Sequence, residues 1–302
     1  MSALKWHEGN LTAFDTETTG LDFDNDRFVT ASIVHRIPGQ RPRTISWLLD
    51  PGMDIPAEAA AVHGWTNDRL HARLAGAEAM RITAAGDQPM ARDGALFEMA
   101  AQCATAMHIE TPLVVHNAAF DLSMLEAELV RAGIDPLSSR PSGIRGVVDP
   151  LVIEKQYDPY RKQCYKKAPD GTACDQENRV HVCGGCRGGR TKCGGCGSTD
   201  RTLTSLCAHY RIVHTGAHDA TADALACIRL LGRLAADWPE IARWKLPTLH
   251  RYQADWRREQ QAGLASFFRK VGKSEEAASV EASQGWPVQT SVAQQLGSAG
   301  AA

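Results

Sequence analysis

The order of the strand-like and helix-like segments constrains the fold of this chain most strongly. Three segments rich in β-branched and aromatic residues come first, and the later strand-like segments alternate with helix-like ones. The predicted strands are 11–16, 28–37, 43–49, 112–116 and 144–149, and the predicted helices are 94–108, 120–132, 202–210 and 218–236, with two short helical stretches within 57–82. This order predicts one α/β domain over residues 5–237, built on a mixed sheet.

Two further segments lie inside and after this domain. Residues 162–200 interrupt it with a stretch that is rich in Gly, Cys, Lys and Arg and has almost no large apolar residues. A connection of this length inside a compact domain is either a module of its own or disordered. Residues 240–272 are basic and predict an amphipathic helical extension. Residues 273–302 are rich in Ser, Ala, Gln and Gly, and we expect a disordered tail there.

Composition excludes several classes of protein. The chain has 302 residues, of which 43% are hydrophobic and 23% charged, as in ordinary globular proteins. No apolar run approaches the roughly 18–20 residues that a membrane span needs, and the first residues lack the apolar region of a secretion signal. The nine cysteines are an odd number, which indicates metal binding in a reducing compartment rather than a disulfide framework. We therefore expect a cytoplasmic protein.

Charge is distributed unevenly along the chain. The formal net charge is −2, but residues 1–160 carry −9, whereas residues 161–201 and 240–273 carry +5 each. An acidic body with two basic attachments suits a protein that holds metal ions at one place and a polyanion at another. Ordinary solvated surface charge is the alternative interpretation.

Asp15 and Glu17 lie two residues apart at the end of an apolar predicted strand. Their side chains therefore project from the same face of the sheet. Two carboxylates this close repel each other unless a cation lies between them, and hard divalent ions such as Mg²⁺ or Mn²⁺ prefer such oxygen ligands. Taken alone, the pair is more typical of an acidic turn that caps Thr18, Thr19 or Gly20.

Further acidic residues begin two of the predicted helices. Asp121 follows the strand 112–116, and Asp223 lies five residues after His218. Individually, each acid is typical of a helix N-terminus. Together with Asp15 and Glu17, they supply four carboxylates, which can hold two divalent ions about 3.5–4 Å apart and so clamp the attacking and leaving oxygens of a phosphodiester. A histidine can take the proton from the attacking water.

Three sequence motifs carry a family resemblance. Phe-Asp-Thr-Glu-Thr-Thr-Gly at 14–20, His-Asn-Ala-Ala-Phe-Asp at 116–121 and His-Asp-Ala-Thr-Ala-Asp at 218–223 resemble the three exonuclease motifs of the DEDDh group. This group belongs to the DnaQ-like 3′→5′ exonucleases, whose best-known member is the proofreading epsilon subunit of bacterial replicases. Ala-Val-His-Gly-Trp-Thr at 61–66 is similar to a further segment of the family, with Trp65 in place of a smaller apolar residue.

The resemblance implies a fold, an activity and roles for particular residues. The implied fold is ribonuclease H-like, with a five-stranded mixed sheet flanked by helices. The implied reaction is hydrolysis of terminal phosphodiester bonds at nucleic-acid 3′ ends, which releases nucleoside 5′-monophosphates. The matching residues are Asp15, Glu17, Asp121 and Asp223 as ligands of two Mg²⁺ or Mn²⁺ ions, His218 as general base, and Thr16 and Thr18 as contacts of the 3′-terminal nucleotide.

The substrate and the biological setting follow less directly from the resemblance. We expect DNA ends to be favoured, in replication proofreading or repair. Trimming of RNA 3′ ends is the alternative within the enzyme class, because the same fold serves both polymers. A non-catalytic, zinc-bearing module that binds nucleic acid or a sliding clamp is the alternative from another class, and the complete set of catalytic residues weighs against it.

The inserted stretch contains a second candidate metal site. Its ligands would be two Cys-x₂-Cys pairs separated by six residues: Cys183, Cys186, Cys193 and Cys196. Four thiolates satisfy tetrahedral Zn²⁺ without an open position, so they predict a structural zinc knuckle. An iron–sulfur site and a loop with free thiols are the alternatives. Cys164, Cys174 and His181 are spare ligands for a second site.

The basic extension contains a segment that is similar to sliding-clamp-binding peptides. Residues 261–268 follow the pattern Gln-x-x-Leu-x-x-Phe-Phe, formed by Gln261, Leu264, Phe267 and Phe268. A helical turn presents the apolar members on one face, which fits a clamp groove and, with it, a DNA polymerase as partner. The same spacing is also that of an ordinary amphipathic helix packed on its own protein, and we favour this simpler interpretation.

Overall fold

The computed structural model describes residues 5–108, 111–159 and 200–299, with side chains as far as residue 294. The candidate zinc ligands Cys183, Cys186, Cys193 and Cys196, and the proposed bounds of their module, lie outside the described residues. The zinc knuckle therefore stays a prediction. Among the described helices, none is long and apolar enough to cross a membrane.

A mixed sheet organises the described part of the chain. Its strands are β1 (Leu11–Thr18), β2 (Phe28–Arg36), β3 (Arg43–Leu49), β4 (Ala79–Thr83), β5 (Gly86–Met90), β6 (Leu113–Val114) and β7 (Val147–Val148). Their order is β5-β4-β3-β2-β1-β6-β7. Strands β1 to β5 pair in antiparallel fashion, whereas β6 runs parallel to both β1 and β7. This is the expected mixed sheet flanked by helices.

The sheet has seven described strands instead of the expected five, because a hairpin of β4 and β5 extends its edge. The sequence analysis treated the region up to residue 82 as helical on account of its alanines. Strand β5 is mostly exposed and contains Pro89, which an edge strand tolerates because its outer N–H groups need no partner in the sheet. An exposed, polar edge strand lacks the apolar alternation by which strands are predicted.

The helices cover both faces of the sheet. Their bounds are α1 (Ala57–His63), α2 (Asn67–Leu74), α3 (Arg92–His108), α4 (Ala118–Arg131), α5 (Pro150–Tyr157), α6 (Leu203–His209), α7 (Ala220–Asp237), α8 (Leu246–Lys270), α9 (Ser274–Ala282) and α10 (Thr290–Ala299). Alternation along β1 sends Phe14 into the core under α3 and α4, and Ala13 into the core under α5 and α7. The sheet is thus buried on two sides around β1.

The C-terminal tail corrects one expectation. Residues 273–302 were expected to be disordered, but the described part forms helices α9 and α10. Trp286 lies between these helices and is buried in the same core as Phe14. One large aromatic side chain buries enough apolar surface to anchor a segment whose average composition is polar. The basic extension forms the single long helix α8, as its amphipathic pattern indicates.

The segment that resembles a clamp-binding peptide packs against this tail. Gln261 is buried, and its side-chain amide donates to Ser283 Oγ at 3.1 Å. The Lys273 ammonium lies 5.9 Å from the ring centroid of Phe268. Of the four residues that form the pattern, only Phe267 is largely exposed. These contacts favour the interpretation as an amphipathic helix that packs on its own protein.

The two ends of the inserted stretch meet at one buried carboxylate. Glu154 of α5 is fully buried, and Arg201 Nε donates to Glu154 Oε2 at 2.8 Å. Arg201 also donates to the carbonyl of Asp158 at 2.7 Å. The described residues on either side of the insertion, after α5 and before α6, therefore lie close together.

Candidate active site

The C-terminal end of β1 carries the first pair of predicted site residues. Asp15 lies opposite Ser32 and Glu17 lies opposite Thr30 in the antiparallel register with β2. The register shifts between Glu17 and Thr18, where the strand leaves its regular pairing. Irregularities of this kind at strand ends re-aim side chains and are common beside active sites. Asp15 and Glu17 are both half-buried and project from the same face of the sheet.

Helix α4 brings Asp121 to the end of β1. The chain turns from β6 into α4 through Asn117, which has the left-handed φ of 60° that Asn tolerates better than most residues. Asp121 lies in the first turn of the helix and is buried. Its Oδ1 accepts a hydrogen bond from Thr16 Oγ1 at 2.7 Å, so the first and second motifs are joined directly.

The turn before α7 brings His218 and Asp223 to the same place. Asp219 caps the helix by accepting from the backbone N–H of Ala222 at 3.0 Å. His218 has a left-handed φ of 65°, and its backbone N–H donates to Asp223 Oδ2 at 3.2 Å. The His218 side chain is exposed, whereas Asp223 is buried. The local fold thus points one ionisable ring toward solvent beside a buried carboxylate.

The structure brings all five predicted residues of the catalytic set together. Ligand atoms of Glu17, His218 and Asp223 lie within 4.8 Å of one another. Asp15 and Asp121 belong to the same electrostatic group. Burial, followed by the charges of Asp121 and Asp223, raises the pKa of Asp15 well above its ordinary value.

The other two perturbed carboxylates show the same effect. Burial, with the charges of Asp223 and Asp121, raises the pKa of Glu17 to about 8. Burial also raises the pKa of Asp121 to about 7, against the lowering effect of the hydrogen bond from Thr16. A cation among these oxygens would offset both desolvation and repulsion. Carboxylate oxygens with one imidazole are a donor set that Mg²⁺ and Mn²⁺ accept. The residues present therefore fit divalent cations.

Thr16 and Thr18, the predicted contacts of the 3′-terminal nucleotide, use their hydroxyls inside the protein. Thr16 Oγ1 donates to Asp121, and Thr18 Oγ1 donates to the carbonyl of Gly20 at 2.6 Å. Both residues are buried. Thr16 thereby fixes a carboxylate of the site, and Thr18 fixes the turn that follows it.

His214 is a site residue that the sequence analysis missed. Its Nε2 lies 2.5 Å from Asp223 Oδ1, and its side chain is only 4% exposed. The available signal was its position four residues before His218, in the sequence His-x₃-His-x₄-Asp. A buried imidazole in this place fixes the orientation of the carboxylate that it touches.

Asp149 holds the second motif as well as the start of α5. Its carboxylate caps α5 by accepting from the backbone N–H of Leu151 at 2.9 Å. It also accepts from the N–H groups of Asn117 and Ala118, each at 3.0 Å. A fourth donor is the indole Nε1 of Trp286 at 3.2 Å. The start of α4 is therefore tied through one carboxylate to the C-terminal tail.

A second contact joins the tail to the same helix. The backbone N–H of Gln289 donates to Ser123 Oγ at 2.8 Å, and Ser123 lies two residues after Asp121. Ser123 Oγ in turn donates to the carbonyl of Ala119 at 2.6 Å. The tail thus bonds α4 directly at Ser123 and, through Asp149, at the start of the helix.

Comparison with known proteins gives one relative by sequence. A protein of Rhodobacter capsulatus named DNA polymerase III subunit epsilon-like protein is 36% identical over 126 residues, which is 41% of this chain and 15% of that protein. The resemblance to the DnaQ-like exonucleases is confirmed. No family model matches the chain.

Solved structures similar to this chain include Escherichia coli exonuclease I. Its complex with a dT13 oligonucleotide has a TM-score of 0.49 and 16% identity, covering 77% of this chain and 42% of that one. Its complex with a dA16 oligonucleotide has a TM-score of 0.49 and 15% identity, covering 78% and 42%. The chain thus spans less than half the length of these exonuclease I chains and about 15% of the Rhodobacter relative.

Without divalent ions, the group of buried carboxylates should destabilise the folded protein as pH rises. Folding raises the pKa of Glu17 from 4.5 to about 8 and that of Asp121 from 3.8 to about 7. The stability that the protonated carboxyls contribute is present below the unfolded values and is lost as pH rises through the folded ones. In EDTA, we expect Tm to fall between pH 5.5 and 9 and Mn²⁺ to restore it at the upper end.

Asp15→Asn separates this effect from general pH sensitivity. Removal of one repelling charge should flatten the fall of Tm in EDTA and shrink the gain from Mn²⁺. Asp255→Asn, at an exposed pair with Arg258, is the matched control and should behave like the wild type. A metal-free Tm that does not change with pH in the wild type would contradict the electrostatic account of the site.

Trp286→Phe should loosen the start of α4. The phenyl ring keeps the apolar body of the side chain but removes the N–H that donates to Asp149. Loss of one hydrogen bond to a buried carboxylate should lower the free energy of unfolding by about 1.5–3 kcal/mol. Amide hydrogen exchange at Asn117 and Ala118 should become faster in the variant.

Trp244→Phe is the control for this variant. Trp244 packs edge-to-face on Tyr252 and hydrogen-bonds Tyr157, away from α4. It should lower stability without changing exchange at Asn117 and Ala118. Equal exchange rates at these amides in Trp286→Phe and the wild type would show that the tail does not hold the second motif.

Proposed function

We propose that this chain is a divalent-metal-dependent 3′→5′ exonuclease that acts on DNA ends. The observation that carries the proposal is the convergence of three distant segments on one point. Asp15 and Glu17 come from β1, Asp121 comes from α4, and Asp223 with His218 comes from the start of α7. The four carboxylates would hold two Mg²⁺ or Mn²⁺ ions. When bound, these ions would supply the charge that lowers the pKa of the attacking water and stabilises the leaving 3′ oxygen.

His218 is the residue best placed to accept the proton of that water. Its ring is exposed, and its ligand nitrogen lies within 4.8 Å of ligand oxygens of Glu17 and Asp223. His214 is also in contact with Asp223, but its ring is buried against that carboxylate. We therefore assign proton transfer to His218 and the orientation of Asp223 to His214. The product is a nucleoside 5′-monophosphate.

DNA is the favoured substrate because the Rhodobacter relative is named for a subunit of a DNA polymerase. This name also supports replication proofreading or repair as the setting and a polymerase as partner. A sliding clamp is a weaker partner, because Gln261 is buried against the tail and would have to leave it. An exoribonuclease and a non-catalytic nucleic-acid-binding module are the competing functions that the same assay distinguishes.

The test is digestion of 5′-labelled single-stranded DNA and of matched RNA in Mg²⁺ or Mn²⁺. The wild type should shorten the DNA stepwise from its 3′ end. His218→Ala should slow the reaction by about 10²–10⁴-fold, which is the usual loss of a general base. Asp15→Asn should abolish shortening, because it removes a ligand and a charge from the group that holds the ions.

Two histidine variants complete the assay. His214→Gln should raise the Mn²⁺ concentration for half-maximal rate by about 10–100-fold, since partners of metal ligands act mainly on affinity. His71→Ala, at an exposed position on α2, should match the wild type. Shortening of RNA alone would establish the exoribonuclease. Binding of either polymer without cleavage, in the wild type and in Asp15→Asn alike, would overturn the enzyme proposal.

The proposal includes a structural zinc ion on the cysteines of the insertion. It is supported by the spacing of the two Cys-x₂-Cys pairs of Cys183, Cys186, Cys193 and Cys196. Metal analysis of the purified protein should give about one zinc per chain, and Cys183→Ser should lose it. Cys103→Ser, at a buried helical cysteine outside the insertion, should keep the zinc. Iron in place of zinc would contradict this part of the proposal.

A further inference from the structure

A cavity of about 910 Å³ lies at the end of the sheet that is remote from the carboxylates. Its lining comes from the starts of β1 and β3, the ends of β2 and β4, and Gln102 of α3. Thr12 lies at this end of β1, and Glu17 lies five residues further along the strand. At about 3.3 Å per residue, Thr12 is roughly 10 Å from Asp15 and roughly 17 Å from Glu17 along the strand.

A row of polar side chains faces this cavity from the sheet. The register places Thr12 opposite His35, and His35 opposite Arg43. Two residues further along, the same face carries Phe14 and Ile33, which belong to the apolar core. The sheet surface under α3 therefore changes from apolar to polar at this end.

Hydrogen bonds hold the row in place. Thr12 Oγ1 lies 3.1 Å from His35 Nδ1, and Gln102 hydrogen-bonds the same His35 side chain. Polar side chains that pack between a sheet and a helix are costly unless they are paired or face a ligand or solvent. The row thus forms an ordered polar wall of the cavity.

The charge of the cavity is strongly positive. Its described lining includes Arg36, Arg41, Arg43 and Arg81 and contains no Asp or Glu, although residues 1–160 carry a net charge of −9. Arg81 pairs with Glu98, and Arg36 donates only to neutral carbonyls of His7 and Glu8. Within the described part of the chain, Arg41 and Arg43 have no ion-pair partner.

These features define the class of ligand. Guanidinium groups present forked N–H donors that match phosphate oxygens, and hydroxyl and amide side chains add further hydrogen bonds. Leu11, Ile37 and Pro42 give the cavity an apolar side against which a base or a sugar can pack. The volume lies within the usual range for small-molecule sites.

We propose that this cavity is a second binding site, which takes a phosphate ester of nucleotide size. The phosphate ester has two sources in the surroundings of a nuclease: a free nucleoside 5′-monophosphate, or the backbone of a single strand. The cavity does not share residues with the carboxylate group, so its occupancy does not depend on the proposed catalytic activity.

The test measures binding by calorimetry with the full chain in EDTA, which removes divalent-ion-dependent binding at the carboxylates. The probes are a nucleoside 5′-monophosphate and a single-stranded oligonucleotide. We expect Arg43→Gln to weaken binding about tenfold or more, which corresponds to the loss of one charge-assisted hydrogen bond. Arg41→Gln combined with it should weaken binding further. Both arginines are exposed, so the variants should keep the Tm of the wild type.

Two controls and the choice of probe decide the outcome. Asp15→Asn alters the candidate active site and Arg258→Gln removes an exposed arginine elsewhere, and both should bind like the wild type. Binding of the monophosphate assigns the cavity to free nucleotide, whereas binding of the oligonucleotide alone assigns it to the strand. Failure of both probes to bind in EDTA, or equal affinity in Arg43→Gln and the wild type, would overturn the proposal.

Discussion

The Asp149 carboxylate is the interaction on which the arrangement of the site depends. It satisfies N–H groups at the starts of two helices, α4 and α5, and it reaches the indole of Trp286, which is 137 residues away in sequence. Its own backbone N–H donates to Gln253 of α8 at 2.7 Å. A buried carboxylate that accepts four hydrogen bonds is held in one orientation. The start of α4 is fixed as a result, and with it the position of Asp121 relative to β1.

Electrostatic repulsion within the site opposes this arrangement. Carboxylates from β1, α4 and α7 repel one another, and burial raises the pKa of Asp15, Glu17 and Asp121. The fold keeps them together because each is attached to a rigid element that other contacts hold, such as the bond from Thr16 to Asp121. Electrostatic strain of this kind is tolerated when contacts in the surrounding structure hold each residue in place.

The carboxylates could be predicted because they lie in three short motifs whose residues are local in sequence, at the end of one strand and near the starts of two helices. Asp15 and Glu17 share a face for the same reason that any two strand residues two apart do. The roles of Asp149, Trp286 and His214 depend on contacts between distant segments or on an exact side-chain direction, and neither leaves a periodic signal. The hairpin of β4 and β5 was not predicted because an exposed edge strand has no apolar alternation. The helices of the tail were not predicted because the average composition of the tail is polar and does not reveal that one tryptophan is buried.

The meeting of both ends of the insertion at Glu154 has a consequence for how this chain can vary. Arg201 joins the start of α6 to α5 through an ion pair with the fully buried Glu154. The cost of closing such a loop grows only logarithmically with its length. The junction can therefore accept segments of different length and chemistry beside an unchanged α/β body.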